Sequence, residues 1–170
     1  MTAANNLIPW LMQFCEWHDG YKRATLLPEE VETYLVERRD LCQALLMAQR
    51  LAIEPGAAAR AALRVARAFQ VELALAAGTV TAITKDISTS GISALVAEAP
   101  PPGTAVQIRL KIGGGTVIAC RCQVVNVIPR PGSALMCAAF QDLSGEAHDK
   151  IETVVCDVVA SEIRSTFKRH

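Results

Sequence analysis

Phe69-Gln-Val-Glu-Leu-Ala-Leu-Ala-Ala77-Gly78-Thr-Val-Thr-Ala-Ile-Thr-Lys-Asp86-Ile-Ser88-Thr-Ser-Gly91-Ile-Ser-Ala-Leu-Val96 is the stretch in which the chain adopts the texture of strands. Short runs of Val, Ile, Leu, Ala and Thr alternate with clusters of Gly, Pro and Asp, and the pattern persists to Phe140. Such runs predict strands near Phe69–Ala76, Thr79–Asp86, Gly91–Glu98, Ala105–Ile112, Gly115–Val127 and Ser133–Gln141. The breaks fall at Ala77-Gly78, Ser88–Gly91, Pro100–Gly103, Gly113–Gly115 and Pro129–Gly132. Six short strands joined by tight turns predict a small antiparallel β-barrel.

Both flanks return to helical spacing. Trp10, Phe14 and Trp17 recur at intervals of four and three, which places three rings on one helical face. Asp19-Gly20 is expected to break that helix. A second helix should begin at Pro28, whose fixed φ suits a first turn, with Glu29 and Glu30 at the positive end of the helix dipole. Its apolar stripe is read as Val31, Leu35, Cys42, Leu45 and Leu46, opposite Glu32, Arg39 and Gln43, and it should end before Pro55-Gly56. After the strands, Ser144 is a candidate N-cap, and Ile151, Val154, Val155, Val158 and Ile163 form an apolar face. Arg164, Lys168 and Arg169 suit the C-terminal end of that helix. The expected organisation is a helical segment over 1–55, a barrel with its entry segment over 56–143, and a C-terminal helix over 144–170, an α+β fold. Either apolar helical face could pack on its own chain or form a homodimer.

Composition narrows the function classes. Hydrophobic residues make up 51% of the chain and aromatics only 5%, so a core is affordable but must be built from small and β-branched side chains. Seventeen basic residues balance seventeen acidic ones. A binder of long nucleic acid normally carries a basic surplus, so DNA is not an expected partner, whereas a small anion needs only a few arginines. The six cysteines are scattered through apolar runs, unlike a disulfide framework. No signal peptide is read at the start, and no apolar stretch approaches the ~20 residues of a membrane helix. A reduced, cytoplasmic protein without membrane insertion is expected.

Two local patterns carry chemistry: Arg60-Ala-Ala-Leu-Arg64 ahead of the strands, and Asp86-Ile-Ser88-Thr-Ser-Gly91 between the second and third predicted strands. Their order and spacing resemble the signature of the PilZ family, which binds the bacterial second messenger cyclic di-GMP. The resemblance runs from about Arg60 to Asp157. Pro101-Pro102-Gly103-Thr104 is similar to the turn that follows the family's third strand, and Val124–Val127 with Phe140-Gln-Asp-Leu143-Ser144 is similar to its closing segment. Where the family often carries a glycine three residues before the phenylalanine, this chain has Cys137.

The resemblance implies that Arg60, Arg64, Asp86, Ser88 and Gly91 bind cyclic di-GMP. Arginine suits a ligand with two phosphates and two guanines, since its planar fork pairs with phosphate or with guanine O6 and N7 and stacks on a purine. Asp86 can accept hydrogen bonds from guanine N1–H and the 2-amino group, Ser88 can donate a hydroxyl, and Gly91 permits a sharp bend or close approach. Arg67 is a possible third arginine, and exposure to water is its expected state. By the same resemblance, Ala59, where a second adjacent arginine could stand, is expected to favour one bound nucleotide over an intercalated pair.

No cofactor, metal or catalytic role is expected. His18, His148 and His170 lack ligand spacing and are read as solvated, and Cys120-x-Cys122 is read as core. Gly113-Gly114-Gly115 lacks the lysine of a phosphate loop and is read as a hairpin turn. The functional expectation is an adaptor in which the nucleotide orders the Arg60–Arg64 segment, repositions the helical hairpin and signals to a protein partner. The alternative is a PilZ-like interaction scaffold that binds no nucleotide.

Overall fold

The computed structural model describes residues 7–168; Arg169 and His170, which figured in the expectations above, lie outside them. Among the described residues there are seven strands: β1 (Val65–Ala66), β2 (Gln70–Leu75), β3 (Gly78–Ser88), β4 (Gly91–Val96), β5 (Ala105–Gly113), β6 (Thr116–Arg130) and β7 (Ser133–Gln141). All six predicted strands form. The two-residue β1 is an addition, too short to show any periodicity.

The sheet order is β1-β3-β2-β5-β6-β7-β4, and β4 also pairs with β3, which closes six antiparallel strands into a barrel. β1 lies outside the ring on β3, with Ala66 opposite Asp86. Inward residues alternate as a pleated strand requires: Val71 and Leu73 on β2, Val106, Ile108 and Leu110 on β5, and Ile118, Cys122 and Val124 on β6. Small inward residues such as Ala82, Ala94, Ala134 and Ala138 let the ring close without large rings inside it. The β5–β6 turn is built on Gly114 and Gly115, at φ +57° and +77°, the left-handed pair that a tight hairpin demands.

Gly91 is fixed by crowding rather than by its φ. A Cβ there would stand 2.2 Å from the carbonyl oxygen of Ala138 on β7, with which β4 pairs.

Three helices are also found among the described residues: α1 (Leu7–Lys22), α2 (Pro28–Leu51) and α3 (Gly145–Phe167). The chain divides into two compact units. One comprises the chain up to Leu63 together with its return from Val155, and the other is Arg64–Val154, so α3 contributes to both. No helix among the described residues is long and apolar enough to cross a membrane.

In the helical unit α1 does not stop at Asp19-Gly20. Gly20 is buried, and a Cβ on it would meet Leu26 Cδ2 at 2.6 Å, so the glycine admits the returning chain instead of ending the helix. The end comes at Ala24, at φ 53°, where Thr25 N–H donates to Gly20 O and Ala24 N–H to Tyr21 O, the paired bonds of a Schellman cap. α2 begins at Pro28 as expected, with Glu30 turning back to accept from the Leu27 N–H at 2.8 Å. Its buried face is Tyr34, Arg38, Leu41 and Leu46, so the predicted stripe caught its direction but not its polar members. Ser144 caps α3, accepting from Ala147 N–H, and Val159 rather than Val158 is the buried valine of its later turns.

Phe14 is fully buried, with its ring 5.7 Å from that of Tyr34, while Trp10 and Trp17 are only half-buried. His18, read as solvated, is buried instead, because both ring nitrogens find partners: the Tyr34 hydroxyl at 2.6 Å and an Asp157 oxygen at 2.8 Å. An ionised carboxylate only accepts, so Nε2 carries the proton to Asp157 and Nδ1 accepts from Tyr34. Lys22 donates to the same carboxylate at 2.6 Å, and Arg38 lies over the Tyr21 and Tyr34 rings.

Burial pushes the Asp157 carboxyl up, but the hydrogen bonds from His18 and Lys22 outweigh it and leave the group below its ordinary value. The carboxylate's contribution is therefore complete above the unfolded-state pKa near 4 and disappears as pH falls through the lower folded value. Asp157→Asn should show a shallower loss of stability than wild type in urea melts run below about pH 4. Gly91→Ala should cost about 1–3 kcal/mol in the same assay at neutral pH, because the Ala138 backbone cannot yield as a side chain would.

Candidate functional site

Asp86 faces outward because β3 carries one residue too many. Thr84 pairs with Ala94 and Asp86 with Ser93, so Lys85 is left over as a bulge between them. Inward residues on β3 run Ala82, Thr84 and then Ile87, a break in the two-residue period. Without the bulge, Asp86 would share the inward phase of Ala82 and Thr84. With it, the carboxylate joins an outer cross-strand row: Ala66, Asp86, Ser93, Cys137 and Asn126, on β1, β3, β4, β7 and β6. A second irregularity, between Val124 and Asn126, bounds that row at its far end.

Arg64 is the arginine that reaches Asp86. Its Nε stands 3.4 Å from Asp86 Oδ1, with the two side chains 39% and 18% exposed. The contact is an ion pair without hydrogen-bond geometry, since Asp86 Oδ1 is buried and has no hydrogen-bond partner among the described residues. A corner at Thr84 positions Arg64. The Thr84 hydroxyl donates to Arg67 O at 2.6 Å and accepts from Phe69 N–H at 2.8 Å, and its amide donates to Phe69 O. The corner holds β1, and with it Arg64, alongside β3. Arg67 itself is exposed, as expected, and lies over the Phe69 ring.

Arg60 belongs to the helical unit, Arg64, Asp86, Ser88 and Gly91 to the barrel unit. The Arg60 carbonyl accepts two hydrogen bonds from the Arg50 guanidinium, at 2.9 and 2.7 Å, so one carbonyl of the arginine motif is held at the end of α2. Arg50 went unread in the sequence because nothing local marks an arginine ten residues upstream as a backbone clamp.

β3 runs through Ser88, so the second motif lies mostly within strands, and only Thr89 and Ser90 form the turn. Ser88 is 2% exposed. Its hydroxyl donates to Gly91 O at 3.3 Å, accepts from Ser90 N–H at 3.2 Å, and contacts Ser90 Oγ at 3.0 Å. Ser90 O in turn accepts from Phe140 N–H on β7. Ser88 and Gly91 thus shape the hairpin that carries Asp86 and pin it to β7.

Thr84 and Ser93 were also missed. Thr84 had a signal, a hydroxyl at an inward position beside Ala82. Ser93, buried with its Oγ unpartnered among the described residues, had none. Burial pushes the Cys137 thiol up; the Arg64 charge draws it down and Asp86 pushes it up, so both flanking charges are felt at this position.

The PilZ domain profile matches residues 58–155, more than half of the chain. The chain belongs to the PilZ domain family. Its barrel is similar to YcgR of Escherichia coli solved in complex with c-di-GMP (TM-score 0.58, 19% identity, 65% of this chain and 50% of that one). It is also similar to the PilZ domain of E. coli YcgR with c-di-GMP (0.54, 18%, 64% and 98%), and to the K. pneumonia MrkH–c-di-GMP complex (0.58, 16%, 64% and 56%). The chain spans about half the length of full YcgR and MrkH as solved. No curated protein sequence matches it.

In this PilZ domain the arginine motif opens the matched region and the Asp86 motif occupies the β3–β4 hairpin. Replacing Ser88 by alanine strands the Ser90 amide, so the thermal midpoint should fall by about 2–4 °C, corresponding to roughly 1 kcal/mol in calorimetry.

Proposed function

We propose that this PilZ domain is a receptor for cyclic di-GMP. The observation that carries the reading is the Arg64–Asp86 pair: a carboxylate turned outward by a bulge, with one oxygen lacking a hydrogen bond, beside a guanidinium. Asp86 would accept from a guanine N1–H and 2-amino group, and Arg64 would meet a phosphate or a guanine Hoogsteen edge. Arg60, four residues upstream in the same motif, is the second arginine. Ser88 and Gly91 act through the shape of the hairpin.

The Arg64–Asp86 contact is partly exposed and Asp86 Oδ1 has no hydrogen-bond partner among the described residues, so N–H donors on the ligand would add bonds there. Ligand capture would order the Arg60–Arg64 segment, and a protein partner would read that change, the order–disorder form of switching. The protein acts as a cytoplasmic adaptor rather than a catalyst, with cyclic di-GMP as ligand and no further cofactor.

Isothermal titration calorimetry with cyclic di-GMP tests the reading. Wild type should bind saturably, and Arg64→Ala and Asp86→Ala should each weaken binding by at least about tenfold while retaining the wild-type circular dichroism spectrum. No heat of binding in wild type would sink the receptor reading and leave the PilZ-like protein scaffold.

A further inference from the structure

α2 and α3 bring two thiols into contact. Cys42 Sγ and Cys156 Sγ are 3.7 Å apart, although the residues are separated by 114 positions in the sequence. Cys156 is fully buried, whereas Cys42 is half-buried. The pair combines a less sheltered thiol with a fully sheltered one already in contact, an arrangement that lets a first oxidation resolve into a disulfide. Closing from 3.7 Å to the ~2.0 Å of an S–S bond asks for a small side-chain movement on two packed helices.

The other thiols differ. The Cys120 and Cys122 thiols also meet in a hydrogen bond, but as alternate residues of one strand their Cα atoms are spaced about 6.6–6.8 Å apart by extended backbone, at the limit of disulfide reach. Cys15 is buried and directs its thiol to Ala160 O, and Cys137 faces Ser93 and Asn126 across the strands.

We propose that Cys42 and Cys156 form a reversible oxidation site, closing a disulfide between α2 and α3 when hydrogen peroxide reaches the protein. The Cys42 thiolate attacks the peroxide O–O bond; one oxygen stays on sulfur as a sulfenic acid, and the other leaves with a proton as water. The Cys156 sulfur then attacks Cys42 Sγ, the S–O bond breaks, and the second water leaves. Two thiols lose two electrons and two protons in total, and the peroxide becomes two waters. A dithiol reverses the step by exchange. The bridge joins α2, whose Arg50 holds the Arg60 carbonyl, to α3, and encloses the whole barrel sequence in one covalent ring. It rests on the thiol contact alone and stands whether or not cyclic di-GMP binds.

The test treats the reduced full chain with a few equivalents of hydrogen peroxide, alkylates it with N-ethylmaleimide in urea, and maps non-reduced peptides by mass spectrometry. The expected result is a peptide linking Cys42 to Cys156, lost on dithiothreitol treatment and absent from Cys42→Ser and Cys42→Ala proteins. Recovery of both cysteines alkylated, their separate over-oxidation to sulfinic acids, or bridges confined to other pairs would overturn the proposal.

Discussion

The slip of β3 against β4 between Thr84 and Asp86 decides what the outside of this barrel can do. A strand alternates its side chains strictly, and β3 commits its early residues inward at Ala82 and Thr84. One extra residue at Lys85 reverses the phase, which sends Ile87 into the core and Asp86 to the surface. The same slip sets Asp86 level with Ser93 and Cys137, so one outer row carries the carboxylate across the strands that close the barrel. That row depends in turn on β4 being bonded on both edges, which Gly91 allows by leaving space for the Ala138 carbonyl.

The six barrel strands were legible because their information is local. Alternation of apolar residues and clusters of Gly and Pro sit within ten residues of where they act, and the strand ends fell within a few residues of those read from pattern. Asp86 and the arginine motif were singled out through resemblance, but the bulge was not read, although the interval from Thr84 to Ile87 records it. Other features depend on distant partners. His18 reads as a surface residue until Tyr34 and Asp157, 16 and 139 positions away, satisfy both of its nitrogens. Gly20 reads as a helix breaker until Leu26 occupies the space a side chain would need. In each case a residue's usual preference yields to a tertiary contact that no window along the chain contains.

The two motif residues that looked most chemical are not equivalent. The Ser88 hydroxyl is committed to the turn and scarcely reaches solvent, while Asp86 retains an oxygen without a hydrogen bond. Such an oxygen in a half-buried carboxylate is costly unless a charge stands close by, and Arg64 supplies that charge at 3.4 Å. The same guanidinium that stands against this carboxylate suits the phosphates of the proposed ligand. Arginine is better fitted to both duties than lysine, since its fork offers donors in two directions and can keep one edge toward Asp86 while presenting another outward. On the proposed function, a ligand bringing N–H donors to Asp86 and negative charge to Arg64 would engage both groups at once. An anion alone would satisfy Arg64 but bring another negative charge toward Asp86.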